Sequence, residues 1–161
     1  MNSETYRYKS TVVAKYILSK ALEENIFINI TKLQKLLYIS YGVYLAVKNE
    51  RLTDESPKAW PYGPVFPTTR EKLLKINLST YDILQDEDCK EICKDKEIQE
   101  LVASVLKTFG HWSAGQLTEW SHSNGSPWDL TTRSENFKWN QPIDDEYIKF
   151  YFSKILPKND K

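Results

Sequence analysis

Between Lys58 and Leu74 the sequence reads KAWPYGPVFPTTREKLL, and its first half fixes backbone geometry before any fold is considered. The stretch Ala59 to Pro67 holds three prolines, one glycine and three aromatic residues in nine positions. Proline locks φ and removes a backbone donor, and the residue before it is driven to extended geometry. Trp60, Gly63 and Phe66 all precede prolines, so this ribbon is stiff and non-helical. Aromatic surface on a pre-ordered ribbon loses little entropy in making a contact. The ribbon is therefore either clamped to the core or held out for a partner.

The rest of the chain is helical in pattern. Ser10 or Thr11 is positioned to cap a helix with apolar residues at 12, 13, 16, 17 and 21. Thr31 and Gln34 have the spacing of a capping box, followed by KLQKLLYISYGVYLAVK, apolar around most of its girth. That marks a central helix, and Gly42 within it points to a close helix crossing. Leu52 to Ala59 reads as a short extended lead-in, and Thr68 or Thr69 opens the next helix. Asp95 caps a stripe of Ile98, Leu101, Val102, Val105, Leu106 and Phe109, ended by Gly110. Ser113 and Gln116 form a second capping-box pattern, Trp128-Asp129-Leu130 reads as a tight turn, and Asp144 to Glu146 open a last helix. The expected fold is mainly α: one compact domain over residues 1–161, core about 10–155, with about six helices, the ribbon and room for one small β element.

Several function classes are disfavoured. Lys plus Arg and Asp plus Glu each number 22, and no helix carries a basic face, so nucleic acid is not an expected partner. MNSETYRYKS has no apolar signal core and no window approaches the ~20 apolar residues of a membrane span. Cys89 and Cys93, at i and i+4 in a mixed-charge run, lack the further ligands a zinc site needs and suit a reducing, cytoplasmic setting. No metal or cofactor is expected. Phosphate loops and nucleophile elbows are absent, and the only histidines are His111 and His122. His122 lies near Ser121 and Ser123, which leaves a small enzyme centred on it as the weaker alternative to a structural histidine.

Three features in order resemble one family: Lys32-Leu33-Gln34-Lys35-Leu36-Leu37-Tyr38, then Ala59-Trp60 with Tyr62-Gly63-Pro64-Val65, then Leu117-Thr118 with His122 and Pro127-Trp128. The chain resembles the Panacea-domain proteins, the SocA-like or phage-associated GepA-like group, over roughly residues 10 to 155. The resemblance implies an antitoxin of a bacterial or prophage toxin–antitoxin operon, also associated with phage defence, that neutralises a protein toxin by direct contact. The alternative it implies is an adaptor delivering the toxin to a cellular protease, for which the tail Pro157 to Lys161 is a conceivable handle. Some relatives carry an added DNA-binding module, and none is read in these 161 residues. The candidate residues, for toxin binding or for the core of the motif, are Trp60, Tyr62, Gly63, Pro64, Val65, Phe66, His122 and Trp128. The motif itself does not say which of them meet a partner and which hold the fold.

Overall fold

The computed structural model describes residues 5–156; the tail proposed as a protease handle lies outside them. A short strand β1 (Tyr6–Tyr8) leads into helix α1 (Ser10–Glu23) and then the central helix α2 (Ile30–Lys48). Strand β2 (Arg51–Thr53) returns beside β1 in parallel, with Tyr6 opposite Arg51 and Tyr8 opposite Thr53. The ribbon is an antiparallel hairpin of β3 (Lys58–Trp60) and β4 (Gly63–Val65), in which Trp60 pairs with Gly63. Helix α3 (Pro67–Leu73) follows, then three single-turn 3-10 segments between Ile83 and Lys94. The chain ends in α4 (Lys96–Phe109), α5 (Ala114–Ser121), α6 (Pro127–Thr132) and α7 (Asp145–Ile155). The fold is mainly α, as its periodicity implies.

Helix α2 is the spine. From Lys32 to Leu45 only Val43 escapes full burial, because α1, α4, α5 and α7 surround the helix and β2 and β4 cross it. Its most extensive packing is with α7, where the Phe152 ring lies against the bare Cα of Gly42. Tyr38 meets the same ring edge to face at 5.5 Å.

Helix starts depart from local reading at three places. Asn29, not Thr31, caps α2: its Oδ1 accepts the Lys32 N–H at 2.8 Å from extended backbone, a role asparagine fills well. Gln34 is thereby free for a tertiary bond. Neither Ser10 nor Thr11 caps α1; the Ser10 N–H donates to Asp54 Oδ1 at 2.8 Å. Likewise Pro67 occupies the first position of α3, and Glu55 accepts the N–H groups of Thr68 and Thr69 at 2.6 and 3.1 Å. The adjacent acids Asp54 and Glu55 thus serve two helix starts that are distant in sequence. A further departure is Trp128-Asp129-Leu130, which lies in α6 and not in a turn, because Ser126 caps and Pro127 starts a helix there. Further on, Asp82 caps a 3-10 turn by accepting the Leu84 N–H. Cys89 and Cys93 are free thiols, Cys89 fully buried beside the Tyr81 hydroxyl.

Candidate functional site

The hairpin is tied down at nearly every residue. Ala59 exchanges backbone hydrogen bonds with the loop before α7, donating to Gln141 O at 2.9 Å and accepting from Asn140 N at 2.8 Å. Trp60 donates its indole N–H to Asn140 Oδ1, and its carbonyl accepts the Trp128 indole N–H, both at 2.8 Å. Behind the hairpin tip, His122 stacks on Trp128 with centroids 3.9 Å apart and planes 15° from parallel. His122 also hydrogen-bonds to the Tyr62 backbone.

Helix α2 holds the other strand. The Gln34 amide clasps Phe66 in both directions, accepting its N–H at 2.7 Å and donating to its carbonyl at 3.3 Å. Lys35 Nζ donates to the Pro64 carbonyl at 3.2 Å. Between these anchors Gly63 has φ +111°, a conformation glycine tolerates at little cost. A Cβ there would stand 2.7 Å from Ser121 Oγ and 2.8 Å from Lys35 Cε. Glycine therefore lets the ribbon lie directly on the lysine stem and on α5.

These anchors divide the candidate residues. Gly63, Pro64, Val65 and Phe66 are buried, with Phe66 edge-on to Tyr41 in the core. His122 and Trp128 are half-buried behind the hairpin. Tyr62 is 73 % exposed at the tip, and Trp60 is half-exposed, with the Arg70 guanidinium 5.7 Å from its ring centroid. The structure thus brings the eight residues together on one hairpin and the wall behind it, and only the tip faces outward.

Beside the tip lies a cleft of about 400 Å³ whose floor is Gln34 and Lys35 and whose rim includes Trp60, Tyr62, Arg70 and Thr118. Lys35 is 2 % exposed. Burial pushes its ammonium down from 10.5 to about 8. Sequence reading missed Gln34, Lys35 and Arg70. The signal for the first two was present: a helix apolar around its whole girth offers no wet face on which to place a glutamine or a lysine.

The His122 imidazole is poorly equipped for chemistry. Burial, and then the Lys35 charge, push it below its ordinary value, against the hydrogen bond to the Tyr62 backbone. Its Nε2 is buried and has no hydrogen-bond partner among the described residues. The adjacent Ser121 hydroxyl donates to the Thr118 carbonyl at 2.7 Å, as a helix-end serine does. Among the described residues, no group of three or more His, Cys, Asp or Glu side chains is placed to hold a metal ion. No helix there is long and apolar enough to cross a membrane.

Comparison with known proteins places these residues in context. Residues 33–129 match the family described as "Antitoxin SocA-like, Panacea domain", a span that begins beside the Gln34 and Lys35 anchors and ends just past Trp128. The protein "Antitoxin SocA" of Caulobacter vibrioides (strain NA1000 / CB15N) is 34% identical over 157 residues, covering 89% of this chain and 82% of that protein. No solved structure matches the chain significantly.

Proposed function

Since the chain belongs to the SocA-like Panacea-domain antitoxin family, we propose that it neutralises a protein toxin by direct contact, with the Trp60–Tyr62 hairpin tip at the centre of the docking face. The observation that carries this reading is the exposure of the Tyr62 ring on a backbone that is otherwise pinned. A rigid aromatic anchor gives contact area at low entropic cost, and such residues dominate binding energy at interfaces of about 1,600 Å² in total. The toxin is held by contact and not altered by catalysis. In keeping with this, His122 donates to the hairpin and stacks on Trp128 instead of facing a nucleophile.

Co-expression with the product of the neighbouring gene tests the proposal. Growth should be restored and the two proteins should purify together. Failure of both removes the reading.

A further inference from the structure

The cleft beside the hairpin tip contains positive charge without a counter-ion. Lys35 forms its hydrogen bond to a neutral carbonyl and has no carboxylate partner among the described residues. Arg70, on the opposite rim, lies over the Trp60 ring and makes no side-chain hydrogen bond or ion pair there. Among the described residues, no acidic side chain lines the cleft. Two other enclosed cations are neutralised, Lys15 by Asp86 at 2.8 Å and Arg7 by Asp95 at 2.9 Å, whereas Lys32, buried on the same helix as Lys35, also has no carboxylate partner among the described residues. An enclosed ammonium with spare donors is costly unless a ligand supplies the opposite charge.

We propose that this cleft is a receptor for one carboxylate, carried on an acidic side chain of the protein partner and seated between the Lys35 ammonium and the Arg70 guanidinium. The inference rests on the reading of the chain as a contact antitoxin, and it specifies the partner's chemistry. Charge complementarity selects an anion, and the flanking aromatic and aliphatic walls select the form. Trp60, Tyr62, Ile30 and Val65 line the cleft and suit the methylenes of a glutamate better than a fully hydrated phosphate dianion. A planar carboxylate also matches the guanidinium fork of Arg70. Because Lys35 also holds the Pro64 carbonyl, an acid reaching it would meet the ribbon whose tip displays Tyr62.

The test follows the Lys35 Nζ signal by NMR in the full chain while N-acetylglutamate N-methylamide is added. The glutamine analogue and inorganic phosphate serve as parallel probes. Saturable binding of the glutamate probe should raise the Lys35 titration midpoint by about one pH unit, as a nearby opposite charge does. Arg70→Leu, a rim substitution, should abolish the response without unfolding the protein. No response to the glutamate probe, or an equal response to glutamine, overturns the proposal, and a stronger response to phosphate overturns the choice of carboxylate. In a second arm Arg70→Leu should weaken capture of the neighbouring toxin about tenfold or more. If the wild-type protein captures no toxin, the contact-antitoxin reading fails, while the probe result still decides whether the cleft takes a carboxylate.

Discussion

Lys35 Nζ and the Pro64 carbonyl, 3.2 Å apart, join the central helix to the proline ribbon through a buried lysine that lines the cleft. The same bond places a positive charge where folding alone would favour an apolar residue. A group of this kind lowers stability and is retained where a function needs it.

Lys35→Met is therefore expected to be at least as stable as the wild type at neutral pH, and less able to hold a partner. The folded-state value of about 8 lies below the ordinary 10.5, so between them the unfolded chain binds the extra proton. Wild-type stability therefore rises with pH through that window relative to the variant. The difference between the two should change by about 2 kcal/mol, in favour of the wild type, between neutrality and about pH 9.5. Urea unfolding at both pH values checks it. A pH-independent difference would mean that the ammonium is solvated.

Gly42→Ala is expected to cost more than about 3 kcal/mol or to prevent folding, because a methyl group would enter the Phe152 ring. Helix propensity alone predicts the opposite sign, a gain of up to about 1 kcal/mol. The thermal midpoint of the variant distinguishes the two, and pairing it with Phe152→Leu should recover part of the loss.

The N-terminal strand should detach in acid. Asp95 caps α4 through the Ile98 N–H and accepts three hydrogen bonds from the Arg7 guanidinium and one from the Tyr8 hydroxyl. Burial pushes its carboxyl upward, but these bonds outweigh it and hold the value below the ordinary 3.8. The stabilisation is thus present above that value and is lost as pH falls through the lower, folded one. Asp95→Ala should cost about 2–4 kcal/mol near neutrality. Amide exchange in β1 should accelerate in the variant, and an unchanged rate would contradict the clamp.

His122→Phe separates support from chemistry. Phenylalanine keeps a ring against Trp128 and removes the buried, unpartnered Nε2. Toxin protection should survive in cells that make comparable amounts of protein. Loss of protection with the fold intact would favour a reaction at the imidazole.

Much of this architecture is legible in the sequence because its causes are local. The periodicity of α2, the Asp95 cap of α4, the Ser113–Gln116 capping box and the proline-locked ribbon all depend on neighbours a few residues apart. The caps that Asp54 and Glu55 provide are not legible, since the acids meet Ser10 and Thr68 only once the chain has folded. The candidate residues of the ribbon were visible as a pattern, but not their division into buried Phe66 and outward Tyr62. Lys35 is legible only in part: the apolar girth of α2 offers it no wet face, but does not say what covers it. Only the packing of α5 and the ribbon over α2 encloses it.

Whether the hairpin tip carries the contact is decided by titrating the neighbouring gene product onto wild type, Tyr62→Ala and Phe150→Asp. Phe150 is an exposed aromatic on α7, outside the residues that match the family, and serves as the competing surface. Tyr62→Ala should weaken binding by more than about tenfold, roughly 1.4 kcal/mol, while Phe150→Asp leaves it unchanged. Tight binding by Tyr62→Ala together with loss of binding by Phe150→Asp would place the docking face on α7 and rule out the hairpin tip.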